Sequence, residues 1–207
     1  MEKNNSPISI FSKDISKRIL EEQLKTCWRV GAKYNIFCFE SSILNSELWK
    51  EALQEIQNKK ISKKVDEGKF NGCIIVDIEG DEKVLVRSDG TTTYIAKDLA
   101  NAFWKLGIID DKFGYKEFIT QPNGSAIWFT TDKENGVSNF SFNGVERSIT
   151  VIDSRQTRLQ KIVTWIIKQL QGANLAENYQ HLKYEVVALN RRTAQEFGLS
   201  FDDNLFN

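Results

Sequence analysis

Residues 149–189 carry the pattern that most limits the fold. A strand-like run, Ile149-Thr150-Val151-Ile152-Asp153, is followed by Leu159, Ile162, Val163, Ile166, Ile167 and Leu170 at helical spacing, with Gly172 as a stop. Tyr184-Glu185-Val186-Val187-Ala188-Leu189 then reads as a second strand. Strand, helix and strand within about forty residues is the length of a parallel βαβ crossover, since parallel strands cannot be joined by a tight turn. Ligands of such sheets bind at the carboxyl ends of the strands, which places Asp153, Ser154, Arg155 and Gln156 at a mouth. The pattern predicts an α/β fold.

A second segment carries chemistry. Val84-Leu85-Val86-Arg87 reads as a strand running into an Asp89-Gly90 turn, with threonines able to cap the helix that follows. Ile95, Leu99, Ala102, Phe103 and Leu106 recur as a core-facing stripe, and Gly107 stops it, which predicts a helix over 91–107. Tyr94 and Asp98 stand four residues apart, one turn from each other on one face. A phenol and a carboxylate so placed can hold a cationic planar group, the carboxylate through charge-assisted bonds and the tyrosine through its hydroxyl and flat face. On the residues alone, the pair reads equally as a half-buried tyrosine and a carboxylate favoured by the helix dipole.

Three stretches organise the chain. Residues 1–69 read as helices, with one stripe at Ile15, Ile19, Leu20, Leu24, Cys27 and Trp28. A second stripe holds Leu48, Trp49, Ala52, Leu53 and Ile56, with Asn45 or Ser46 as cap. An aromatic-rich link, 34–42, lies between them, and the charged run 59–64 reads as a solvated helix end and loop. Residues 70–147 are strand-rich, with a hairpin across Glu79-Gly80-Asp81-Glu82 and two more strands on either side of Pro122-Asn123-Gly124. Residues 148–207 hold the βαβ unit.

Lysine plus arginine equals aspartate plus glutamate, 28 each, so no basic excess advertises nucleic acid. No run approaches the ~18–20 apolar residues that span a bilayer, and the first residues lack a signal peptide's apolar core. Cys27, Cys38 and Cys73 have no metal-ligand spacing, and His181 is the only histidine, so no bound metal is expected. These features predict a reduced, cytoplasmic globular chain.

Residues 88–107, the run Val151-Ile152-Asp153-Ser154-Arg155-Gln156, and residues 181–189 with Thr193-Ala194 after them together resemble arginyl-tRNA synthetase, a class I enzyme, and most closely its archaeal type. Residues 28–42, with their Glu-Ser pair, add weaker support. The resemblance implies a partial Rossmann-like class I catalytic domain. Its second half would carry a mixed α+β inserted region, and residues 1–69 would follow the first half of the nucleotide fold. It implies that Tyr94 and Asp98 hold the guanidinium of arginine, that Gln156 contacts the same amino acid, and that His181 lies beside the adenosine of ATP. Taken alone, Gln156 also reads as satisfying a strand-end backbone group, and His181 as an ordinary surface or core histidine.

The family activates arginine with ATP, carried with Mg²⁺, and passes it to tRNA(Arg). Its His-x-Gly-His motif needs two histidines and its Lys-Met-Ser-Lys loop an internal methionine, and this chain has neither. Those motifs stabilise charge on the reacting phosphates, and one such donor is worth ~10²–10³ in rate. The expectation is therefore a chain that contains no catalytic residue, is inert alone, and has polypeptides carrying the missing halves as partners. A non-catalytic arginine-binding or partner-binding module derived from the synthetase is the alternative.

Overall fold

The computed structural model describes residues 6–185 and 190–198. Helix α1, Pro7–Arg29, starts where the Ser6 hydroxyl accepts the Ser9 N–H at 3.1 Å and Pro7 presets the first turn. Three small sheets follow. Strand β1 (Ile36–Phe37) runs parallel to β6 (Ala126–Asp132), which pairs antiparallel with β5 (Phe113–Thr120). Strands β2 (Ser62–Lys64), β3 (Ile74–Ile78) and β4 (Asp81–Val86) form an antiparallel meander. The turn between β3 and β4 is Glu79-Gly80, both at positive φ, the backbone that a tight two-residue hairpin requires.

The third sheet is the expected crossover. Strand β7 (Ser148–Asp153) lies parallel to β8 (Tyr179–Tyr184), in register from Ser148↔Tyr179 to Asp153↔Tyr184. Between them run helices α5 (Thr157–Gln171) and α6 (Ala173–Glu177), separated by Gly172 at φ 87°. The expected strand over 184–189 differs: pairing with β7 begins at Tyr179, so His181 sits within the strand. Residues 186–189 lie outside the described residues.

Helix α4 (Tyr94–Lys105) is the centre of the core. Its stripe of Ile95, Leu99, Ala102 and Phe103 is buried, and Trp104 with it. Against it pack Leu48, Ala52 and Ile56 of helix α3 (Leu48–Asn58), and Val163, Ile166 and Ile167 of α5. Helix α2 (Glu40–Asn45) touches α3, α4 and β6. Asp111 ties the sheet to this core, accepting from Trp104 Nε1 at 3.1 Å, Phe113 N at 3.0 Å, Tyr115 Oη and Ser141 Oγ. The last helix of the described residues, α7 (Arg191–Glu196), is capped by Asn190.

Several local expectations change. Lys63 and Lys64 belong to β2, because an edge strand can pair its backbone with β3 while both side chains stay solvated. The expected cap of α3 at Asn45 or Ser46 is instead Glu47, in the left-handed region. Residues 133–138, whose polar sequence reads as a mobile loop, contain a 3-10 turn and bridge back to Tyr115 through Val137. Most notably, α1 turns the early part of its apolar stripe outward. Ile15 and Ile19, expected toward the core, are exposed, whereas Leu24 further along is buried. No helix of the described residues is long and apolar enough to cross a membrane.

Candidate functional site

The start of α4 is moored from behind. Asp89 accepts the N–H and hydroxyl of Thr91 at 2.9 and 2.7 Å, and Gly90, at φ 82°, turns the chain. Thr93 occupies the N-cap position but does not cap. Its hydroxyl donates to the Val84 and Leu85 carbonyls at 3.0 and 3.2 Å, and its N–H to Leu85 O at 2.9 Å. The mooring fixes the first turn, from which Tyr94 projects 64 % exposed.

One turn on, Asp98 is half-buried and accepts no hydrogen bond and joins no ion pair among the described residues. Burial raises its pKa above the usual 3.8, and the Glu40 carboxylate across from it raises it further, against the lowering pull of Lys105 and Lys97. Glu40, the first residue of α2, is ion-paired with Lys97. On the other flank lies Tyr179. Burial lifts its phenol pKa, with the charge of Asp98 a smaller cause. Its hydroxyl donates to Gln160 Oε1 at 2.8 Å and accepts from Thr150 at 3.3 Å. A carboxylate without a partner, partly withdrawn from water and beside a second carboxylate, is a place for a delocalised cation with several donors.

Glu40 is the residue that sequence reasoning passed over. Its signal was the Glu-Ser pair of the aromatic link; what that pair could not show is that α2 delivers the carboxylate to Asp98, 58 positions further along the chain.

The carboxyl ends of β7 and β8 form the expected mouth. Asp153 accepts Arg155 N at 2.8 Å and pairs with its guanidinium, so the hydrogen bonds from Arg155 pull the Asp153 pKa down. Ser154 Oγ donates to Glu185 at 2.8 Å. Gln156 is the N-cap residue of α5, and its side chain makes no hydrogen bond among the described residues. Arg158, in the same turn, pairs with Asp81 at 2.6 Å, and that bond, followed by the Asp81 charge and the nearby Tyr94, raises its pKa. Tyr94 therefore lies beside the first turn of α5, which Gln156 opens. His181 stands apart from this group, half-buried in β8 with Nε2 3.3 Å from the Ile152 carbonyl oxygen. Among the described residues, no three His, Cys, Asp or Glu side chains gather as a metal site.

No family model matches the sequence. The arginine–tRNA ligase of Deinococcus radiodurans is 31% identical over 184 residues, which cover 86% of this chain and 30% of that protein. The arginine–tRNA ligase of Thermococcus sibiricus is 31% identical over 194 residues, 90% of this chain and 30% of that protein. Among solved structures, Thermus thermophilus arginyl-tRNA synthetase superposes with a TM-score of 0.72 at 30% identity, covering 84% of this chain and 30% of that one. The chain spans about 30% of the length of the curated relatives it matches.

Proposed function

We infer, for a chain that matches arginyl-tRNA synthetases in sequence and fold across most of its length, that it is the arginine-recognising part of an arginine–tRNA ligase. The observation that carries this reading is Asp98: a half-buried carboxylate without a partner, one helical turn from an exposed tyrosine and facing Glu40. Asp98 takes the guanidinium through charge-assisted hydrogen bonds, and the Tyr94 ring and hydroxyl border it. Glu40 adds a second negative charge, exchanging Lys97 for the ligand. Gln156, a neutral donor and acceptor at the mouth, contacts the amino acid without adding charge.

In the complete ligase, arginine reacts with ATP, brought in with Mg²⁺, and the arginyl group passes to tRNA(Arg). His181 is assigned to the adenosine side of the site. This chain supplies substrate recognition, and the stabilisation of phosphate charge falls to other parts of the ligase. In domain terms, the recognition helix belongs to the inserted region 70–147 and Gln156 to the βαβ half, 148–207.

Calorimetry with arginine tests the reading. The chain is expected to bind arginine, and Asp98→Asn to weaken binding by the ~1.5–3 kcal/mol of a hydrogen bond to a charged group, about 10- to 150-fold. An Asp98→Asn chain that binds arginine as the parent does would overturn the assignment. Pyrophosphate exchange restored only by polypeptides carrying the remaining two thirds of the ligase would establish the catalytic context. Arginine binding with no activity in any combination would favour a non-catalytic arginine module.

A further inference from the structure

The sequence holds four Asn-Gly pairs, Asn71-Gly72, Asn123-Gly124, Asn135-Gly136 and Asn143-Gly144. In such a pair the glycine nitrogen can close on the asparagine side-chain carbonyl, because no Cβ hinders the approach. The nitrogen must give up its proton and swing towards Cγ, so a hydrogen-bonded or tightly packed N–H is protected. Chemically the four pairs are alike, and the fold separates them.

Three are held back. The Gly72 N–H donates to Val65 O at 2.7 Å, and the Gly124 N–H to Gln121 O at 2.9 Å. The Asn123 side-chain oxygen is itself tied, accepting the Ser125 N–H at 3.2 Å and the Ser125 hydroxyl at 2.9 Å. The Gly136 N–H makes only a long contact with Lys133 O, 3.5 Å, but Gly136 lies so close to Gly114, Tyr115 and Thr131 that no Cβ would fit. The bridge between Val137 and Tyr115 pins that backbone further. Gly144 differs on every count. It is exposed, its N–H donates no hydrogen bond among the described residues, and a Cβ built on it would meet nothing within 4 Å.

The neighbours of Asn143 matter as much. Ser141 Oγ lies 2.8 Å from Asn143 Oδ1 and accepts the Asn143 N–H at 3.1 Å. A donor at Oδ1 polarises the carbonyl under attack and stabilises the oxyanion that forms there. The same hydroxyl also reaches Asp111, the carboxylate that holds Trp104 of α4 and Phe113 and Tyr115 of β5. A hydroxyl has one proton to give, so a second carboxylate at position 143 would contest it with Asp111.

We propose that Asn143 is a self-modification site, and that its product loosens the Asp111 tie between α4 and β5. The Gly144 nitrogen, losing its proton to hydroxide, bonds to Asn143 Cγ. The Cγ–Nδ2 bond breaks and ammonia leaves, its third proton coming from water. Water then opens the cyclic succinimide at either carbonyl, giving aspartate or isoaspartate. Water is the sole co-reactant, and the product sets a negative charge beside Asp111 where a neutral amide stood.

The test incubates the full 207-residue chain at mildly alkaline pH, folded and in urea, and maps its peptides by mass over time. Dividing each pair's folded rate by its own rate in urea cancels the influence of neighbouring residues. Asn143 should keep most of its unfolded rate, while Asn71 and Asn123 fall by at least the ~2- to 10-fold that one backbone hydrogen bond is worth. Asn143→Gln, whose longer side chain closes a larger and slower ring, should abolish the change at 143 and leave the other three rates as they were. N143D makes the product directly and should lower the unfolding midpoint in urea, whereas N123D, at an exposed turn, should not. The proposal is overturned if folding protects Asn143 as strongly as Asn71 and Asn123, or if another pair reacts fastest in the folded chain. It is equally overturned if N143D unfolds at the same urea concentration as the parent.

Discussion

Asp98 holds its charge where the surroundings disfavour one, through burial first and Glu40 second. A folded-state pKa above the unfolded value means that the folded chain binds the extra proton, so stability falls as pH rises through that window and stays lower above it. Asp98→Asn should therefore raise the melting temperature at pH 7 while weakening arginine, and the stability gain should vanish below about pH 3.8, the unperturbed carboxylate value. Because a guanidinium needs the ionised form, arginine binding at a pH within the titration range of Asp98 should release a proton. Calorimetry in two buffers of different ionisation enthalpy reads that release, and buffer-independent heats would contradict it. Glu40→Gln removes the second charge, with an expected two- to fivefold loss of arginine affinity from ~0.4–1 kcal/mol of a largely solvated interaction.

Among the elements, what the sequence disclosed depended on how each one is buried. The stripe of α4 was legible because one continuous apolar face meets one core, and the first strand and the helix of the crossover were legible as apolar runs, whereas the second strand pairs at Tyr179–Tyr184, ahead of the apolar run that marked it in the sequence. The stripe of α1 was read from the same periodicity, yet Ile15 and Ile19 face outward. Periodicity says which residues share a face and not which way that face turns, and Ser9, Ser12, Ser16 and their lysines share a face just as regularly. Strand β2 was hidden because its pairing is purely backbone. Asp98 and Tyr94 were legible as a local pair, whereas Glu40 reaches Asp98 only through the packing of α2 on α4.

The β5–β6 element also holds a constraint that pattern does not reveal. A Cβ on Gly136 would stand 2.6 Å from Tyr115 N, and one on Gly114 2.6 Å from Asp132 O. Both glycines let the 133–137 segment lie against β5. Gly136→Ala should cost ~1–3 kcal/mol through forced backbone displacement, measured as a lower midpoint in urea with an unchanged slope. A midpoint equal to the parent's would show that the segment yields freely.

For the whole molecule, the sheet of β7 and β8 is covered by α5 on one side only among the described residues. Ile149, Val151, Leu182 and Tyr184 line the other side, each about half exposed or more. Parallel sheets are ordinarily covered on both faces, and an apolar patch of this kind favours association. Sedimentation of this chain by itself should therefore show concentration-dependent self-association, suppressed by V151K/L182K. A monomer at every concentration would mean that the face is adequately solvated.

Strand β4 acts as a ruler. Thr93 fastens the start of α4 to Leu85, near one end of the strand, and Arg158 fastens the first turn of α5 to Asp81, at the other. Four residues of extended chain, about 13 Å, separate the two anchor points. Thr93 precedes Tyr94 and Gln156 lies two residues before Arg158, so the starts of α4 and α5 shift along β4 only by bending a paired strand or breaking a fastening. On the arginine reading proposed above, charge selects the kind of side chain that enters, while one short strand fixes where the two flanking helices begin.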